Sequence, residues 1–306
     1  MDRARQAGEA RREDREIGID VALVKRLLRE QFPELAELDV CLIQPGGWDN
    51  RSFRLGDELV ARFPSDEAYA SQVEKEYRWL PLLAPHLPAA IPTPIAMGVP
   101  GPGYPWRWSI YDWIDGDPAS SGTRVNPLLV ASDLAQFLGA LHRIDPKDGP
   151  PPGTHNFHRG GDLRVYDDEV DRALAVLDST IDRAAAGALW KKALATRWRG
   201  EPVWIHGDVS PANLLLRSGR LNAVIDFGNL GVGDPACDLA IAWSWFDAGA
   251  RAQFRSALAL DEGTWLRGRA WALWKALVVA AGLSSTNAVD YQDPLAVVSK
   301  CLSSKS

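Results

Sequence analysis

Residues 203–239 read VWIHGDVSPANLLLRSGRLNAVIDFGNLGVGDPACDL. Three oxygen-bearing side chains in this stretch are spaced so that they could act together. Asp208 and Asn213 stand five residues apart, ahead of an apolar strand-length run, Leu214 to Leu216. Asp226 follows a second run, Leu221 to Ile225, and Ser218-Gly219 between the runs is a turn signal. A hairpin returns its outer ends to one place, so the three side chains are expected to converge. Asp and Asn oxygens, completed by water and phosphate oxygens, are the hard ligands that suit Mg²⁺. With Asn213 and Asp226 on the metal, Asp208 is left to act as a general base. Taken singly, the Asp-x-x-x-x-Asn pair reads as a capped turn and Asp226 as the turn at a strand end. It is their joint spacing in one hairpin that points to chemistry.

Other elements must hold this hairpin. Upstream, Val21 to Glu30 has helical apolar spacing. Val40 to Ile43, Ser52 to Leu55 and Leu59 to Phe63 are short runs separated by Gly turns, which reads as an antiparallel meander. Ala70 to Leu83 reads as a helix with Val73, Tyr77, Leu80 and Leu83 on one face. The proline-rich stretch 81–105 reads as an ordered extended connection. Trp108 to Ile114 is strand-like, and a lobe boundary is expected at its end. Leu128 to Ile144, Asp168 to Leu177 and Ala184 to Trp198 read as helices, with a loop over 145–164. The expected organisation is a polar, disordered tail (1–16), a β-rich lobe (17–114) and a larger, mostly helical lobe (115–306).

HGDVSPAN (206–213) resembles the catalytic loop of kinases, with HGD where protein kinases have HRD. Ile225-Asp226-Phe227-Gly228 resembles the DFG metal-binding motif. HGD followed by GDPACDLA resembles the aminoglycoside phosphotransferase family of the protein-kinase-like superfamily. The resemblance extends over most of the chain. LVARFP (59–64) occupies the position of the lysine strand, Glu76 in VEKEYRWL matches the helix glutamate, and LAQFLGALHRID (134–145) matches the helix ahead of the catalytic segment.

The resemblance implies an α+β, two-lobed kinase-like fold and a nucleotide- and Mg²⁺-dependent O-phosphotransferase. Asp208 would be the base, Asn213 and Asp226 the metal ligands, His206 a support of the loop and Asp238 an anchor of its backbone. Arg62 would replace the usual phosphate-binding lysine, with Glu76 as its partner and Glu74 the alternative; a surface arginine on an edge strand is the competing reading. Pro45 to Ser52 would roof the phosphates, or be a plain hairpin turn. Ile110, Tyr111, Asp112 and Trp113 would form the hinge whose backbone reads the purine of ATP or GTP. Asp238 stands only ten positions after Gly228, too short a span for a segment that docks a peptide, so a small hydroxyl acceptor is expected.

The family places an aminoglycoside or related amino sugar first among acceptors, ahead of macrolides, choline, homoserine or sugars. Asp162, Asp167, Asp168, Asp247, Asp261 and Glu262 are candidates for its ammonium groups; Arg159 and Arg164 would suit an anionic group instead. Trp271 and Trp274 read as core. A nucleotide-binding scaffold that no longer transfers phosphate is the rival from another class. Composition narrows the rest. With 34 basic against 40 acidic residues the chain does not look like a nucleic-acid binder. Three widely spaced cysteines give no disulfide framework, residues 1–16 contain no apolar signal core, and Ala276 to Leu283 is too short to span a bilayer. A cytoplasmic location is therefore expected.

Overall fold

A computed structural model of the chain describes residues 18–44, 46–47, 49–121, 125–284 and 293–303. The expected disordered tail, and Pro45 and Trp48 of the expected phosphate roof, lie outside the described residues. Two compact units are formed, Met1–Leu82 with Pro92–Trp113, and Leu83–Ile91 with Ile114–Ser306. Residues 83–91 thus go with the larger unit, where Ala90 bridges to Ala223, although a continuous smaller lobe was expected from the sequence.

The smaller unit begins with α1 (Val21–Gln31), whose first turn is capped by Asp20 accepting the Leu23 amide at 2.8 Å. Strands β1 (Val40–Leu42), β2 (Asn50–Leu55) and β3 (Leu59–Pro64) form the meander. Helix α2 (Glu67–Leu83) follows, then β4 (Pro94–Gly98) and β5 (Trp108–Asp112). The five strands make one antiparallel sheet in the order β1-β2-β3-β5-β4. Leu23, Val24, Leu27 and Leu28 of α1 share a core with Phe53, Phe63 and Trp108 of the sheet. Phe63 and Trp108 stack with centroids 4.7 Å apart. Gly98 is required here, since a Cβ at that position would lie 2.1 Å from the Trp108 indole. Strand β4 was hidden in the proline-rich stretch; its missing proline donor is absorbed at a register shift between Pro94 and Ala96. On α2 the buried residues are Gln72, Val73, Glu76, Trp79, Leu80 and Leu83, while Tyr77 is exposed, contrary to the sequence reading.

The larger unit contains β6 (Asp117–Pro118), α3 (Pro127–Leu141), α4 (Asp167–Val176), α5 (Arg183–Leu194) and β7 (Val203–Ile205). Next come β8 (Leu214–Arg217), β9 (Arg220–Val224), β10 (Gly231–Gly233), α6 (Ile241–Ser244), α7 (Ala248–Ala257), α8 (Glu262–Ala280) and α9 (Pro294–Ser303). The strands form a three-stranded β6-β8-β9 sheet and a β10-β7 pair. The hairpin β8-β9 turns at Ser218 (φ 54°) and Gly219 (φ 74°), the left-handed pair that a two-residue hairpin needs. Asp133 of α3 holds that hairpin by two bonds from Arg220, at 2.7 and 2.5 Å, and one from the Leu221 amide. Helix α8 is buried along most of its length and packs against α4, α5 and α9.

Candidate active site

In the larger unit the hairpin brings its outer ends together as expected. The Ile225 amide donates to the Asn213 carbonyl at 2.9 Å, which sets Asp226 beside Asn213. Asn213 in turn donates from Nδ2 to the Asp208 carbonyl at 3.0 Å. With Nδ2 so committed, the amide oxygen is the atom that Asn213 can offer a metal. Asp226 has φ 66°, a left-handed conformation that a non-glycine residue seldom adopts.

The loop that carries Asp208 hangs on Asp238. That carboxylate is fully buried and accepts the His206 amide at 2.8 Å and the Gly207 amide at 2.7 Å. Burial pushes the Asp238 carboxyl up in pKa against the lowering influence of His206 and of those two amides. Gly207 is obligatory: its φ is 84°, and a Cβ there would lie 2.3 Å from the Asn229 carbonyl oxygen. His206 is buried, its Nε2 lies 3.0 Å from the Ile225 carbonyl, and its Nδ1 receives the Asp208 amide at 3.1 Å. One histidine therefore ties the Asp208 loop to the end of the hairpin.

Sequence reasoning missed Lys275. Its ammonium lies 2.6 Å from Asp208 Oδ1, and the two side chains are only 9% and 19% exposed. Burial alone would raise the Asp208 carboxyl, but the charges of Lys275 and Arg159 and the Lys275 hydrogen bond hold it below the ordinary range. The signal that could have found Lys275 is its position as the one charged residue in the apolar run Ala270 to Ala281. Arg159 is buried too, 5.0 Å from the ring centres of both Trp271 and Trp274 and bonded to the Tyr166 hydroxyl at 3.2 Å. Trp271 and Trp274 are core residues, and Trp274 also donates to Glu169 at 2.9 Å.

In the smaller unit, Arg62 of β3 faces Glu76 of α2 at 3.4 Å. Glu76 also accepts the Tyr111 hydroxyl at 2.5 Å. Burial, followed by the Glu76 charge, raises the Tyr111 phenol well above its usual range. Arg62 is largely buried and lies opposite Ser52 on β2 and Ser109 on β5. Glu74, the alternative partner, pairs instead with Arg107 at 2.6 Å. Tyr111 joins the Arg62–Glu76 pair of the smaller unit through its side chain, a role the sequence did not suggest. As a backbone reader of a purine, the segment is constrained. Ile110, Tyr111 and Asp112 sit in a strand paired on both sides, the Asp112 amide donates to Thr93 and the Trp113 amide to Glu58. Those donors are already used inside the sheet.

Several acidic residues weighed as ammonium binders have local work. Asp162, Asp247 and Asp261 each accept the first backbone amides of a helix, Asp167 accepts the Trp190 indole N–H at 2.5 Å, and Glu262 pairs with Arg255. Arg164, weighed for an anionic group, is engaged with Asp162 and the Leu194 carbonyl. Among the described residues no three His, Cys, Asp or Glu side chains gather as a metal cluster. The donor set of Asn213 and Asp226 fits Mg²⁺ nonetheless, because that ion takes one or two protein oxygens and completes its shell with water and phosphate. No helix among the described residues is long and apolar enough to cross a membrane.

A family model described as the phosphotransferase enzyme family matches residues 40–274. Over 121 residues the chain is 32% identical to an aminoglycoside 3'-phosphotransferase of Streptomyces fradiae, a stretch covering 37% of this chain and 43% of that protein. The chain thus matches under half the length of that curated relative. The fold resembles the GDP and kanamycin complex of APH(2")-IIia, with TM-score 0.69 and 18% identity over 91% of this chain and 97% of that one. It also resembles the macrolide 2'-phosphotransferase MphH of Brachybacterium faecium, with TM-score 0.62 and 22% identity over 93% and 99% of the two chains. These likenesses establish an α+β, two-lobed, kinase-like fold.

Proposed function

The chain belongs to the phosphotransferase enzyme family, and from that premise we propose that it moves the γ-phosphate of ATP or GTP to a hydroxyl of an aminoglycoside or related amino sugar. The observation that supports this most is the gathering of Asp208, Asn213 and Asp226 by one loop and one hairpin. Asp208 accepts the proton of the acceptor hydroxyl as its oxygen attacks the γ-phosphorus and the bond to the leaving nucleoside diphosphate breaks. Asn213 and Asp226 would hold Mg²⁺, which would supply positive charge against the phosphates. Arg62, kept in place by Glu76, brings a permanently charged guanidinium to the phosphates. His206 and Asp238 keep the loop rigid. A loose phosphoryl-transfer transition state asks for this kind of positioning and charge compensation, and little covalent chemistry.

The acceptor assignment draws on the substrates of the relatives and on one feature of this chain. Helix α4 opens with Asp167, Asp168 and Glu169, three carboxylates in one turn, and Glu169 is fastened to Trp274 beside Lys275. Asp167 is held by the Trp190 indole and Glu169 by that of Trp274, so the exposed Asp168 is the carboxylate of this turn left to meet an ammonium group of an aminoglycoside. A macrolide is the second acceptor to consider, because of the likeness to MphH. The test is release of ADP or GDP from MgATP or MgGTP with kanamycin, gentamicin or a macrolide, the product being weighed by mass spectrometry. Metal-dependent release together with a phosphate-sized mass gain on the drug is expected. Release indifferent to acceptor and divalent metal, with no modified product, would overturn the assignment.

A further inference from the structure

Helix α8 carries an expensive residue in an apolar place. Between Ala270 and Ala281 its sequence is AWALWKALVVAA, and Lys275 alone is charged. The side chain is about nine-tenths buried, and a buried ammonium is costly unless it is paired. Its partner is Asp208, 67 residues earlier, at 2.6 Å. The bond is made to Oδ1 alone. Among the described residues Asp208 is otherwise fixed through its backbone: its amide donates to His206 Nδ1 and its carbonyl receives Asn213. The loop therefore places the Asp208 main chain, while Lys275 sets the direction of the carboxylate. Alternative counter-ions do not make this contact. Arg159 bonds to Tyr166 and lies over the Trp271 and Trp274 rings, and Arg267 is engaged with Asp234.

Resting on the reading of Asp208 as the base, we infer that Lys275 is a positioning residue for phosphoryl transfer: it holds Oδ1 so that Oδ2 is presented to the acceptor hydroxyl. Lys275 does not touch the nucleotide or the metal in this role. Its loss should therefore lower kcat and leave nucleotide KM alone, because misplacing a reacting group by about 1 Å can cost on the order of 10²-fold. A lysine that merely neutralised a buried charge would instead change stability and leave the turnover of folded enzyme intact.

Five proteins test this with MgGTP or MgATP and kanamycin: wild type, Lys275→Met, Lys275→Arg, Asp208→Asn and the Asp208→Asn, Lys275→Met double variant. Lys275→Met is expected to lose about 10- to 100-fold in kcat with nucleotide KM unchanged, and Lys275→Arg, which restores a cation and a donor, to recover part of the loss. In the Asp208→Asn background, Lys275→Met should add no further loss, since both changes act through one group. Crystal structures of wild type and Lys275→Met supply a readout that needs no acceptor: the Asp208 carboxylate should leave its wild-type rotamer in the variant. Should Lys275→Met not fold, Lys275→Arg and Lys275→Gln carry the same comparison. Wild-type kcat in Lys275→Met, or an unmoved Asp208 rotamer, overturns the inference while leaving Asp208 as the base. Normal transfer by Asp208→Asn overturns the reading beneath it.

Discussion

In the larger unit, Asp208, Asn213 and Asp226 are fixed mainly by backbone groups of their own neighbourhood. Asn213 reaches back five residues to the Asp208 carbonyl, His206 reaches forward 19 to that of Ile225, and Asp238 grips two consecutive amides. In the smaller unit, Arg62, Glu76 and Tyr111 come from a strand, a helix and a second strand, and are joined by side chain to side chain across 14 and 35 residues. A loop pinned through its backbone keeps its course when a reacting side chain such as that of Asp208 is changed. A side-chain relay does not, because each member depends on the next. The larger unit should therefore show sharp, residue-specific losses of chemistry. The smaller unit should show graded losses of nucleotide affinity that spread along the relay.

The largest effect is expected from Asp208→Asn. The substitution preserves size and removes the ability to take a proton, and positioned general bases contribute about 10²- to 10⁴-fold. Acceptor transfer should fall by that factor in steady-state assays, with nucleotide affinity unchanged by calorimetry. A parallel collapse of affinity would mean that Asp208 belongs with the metal ligands, and the contrast between the units would lose its chemical half.

Arg62→Ala comes next. A charge-assisted contact to phosphate contributes roughly 1.5–3 kcal/mol, so kcat/KM for nucleotide should fall about 10- to 100-fold. Arg62→Lys should keep part of the activity, since charge survives while the planar fork does not. Wild-type behaviour of Arg62→Ala at subsaturating nucleotide would make Arg62 a structural ion-pair partner of Glu76 and nothing more.

How much of this was legible beforehand follows the same division. The Asp208 loop and its hairpin could be read from the sequence because their geometry is local: a glycine with φ 84°, a left-handed Ser-Gly turn and fixed short spacings are encoded where they act. Lys275 could not be read as a partner, because only the packing of α8 brings it 67 residues back to Asp208. The bond from the Tyr111 hydroxyl to Glu76 could not be read either, since a strand's periodicity does not tell which side chain lies under a helix. Asp162, Asp247 and Asp261 were weighed as ligands because a capping aspartate and a binding aspartate look alike until the helix start is known. Strand β4 stayed hidden since proline argues against strands unless a register shift accommodates it.

Asp238→Asn probes the backbone-pinned side. One oxygen becomes an NH₂ group facing an N–H donor, leaving a buried amide unsatisfied at a cost of about 1–3 kcal/mol. Denaturant unfolding should show that loss, and kcat should drop with it as the His206-Gly207 turn loosens. Loss of stability with unchanged kcat would show that the loop holds its shape without Asp238, through His206 and Asn213 alone.

The smallest effect, and the finest test of the relay, is Tyr111→Phe. The phenol is buried and its hydroxyl makes a 2.5 Å bond to Glu76, which is itself buried. Removing the hydroxyl leaves a carboxylate one donor short, which costs about 1–2 kcal/mol and lowers Tm by roughly 2–4 °C in a protein of this size. The functional consequence travels through Glu76. Freed on one oxygen, the carboxylate can turn toward Arg62 and shift the guanidinium. Nucleotide KM should then rise a few-fold, about what 1 kcal/mol allows, while kcat at saturating nucleotide stays close to wild type because the Asp208 loop is untouched. A fall in Tm with unchanged KM would mean that strand register alone fixes Arg62. The smaller unit would then hold its phosphate-facing group as the larger unit holds Asp208, through the backbone.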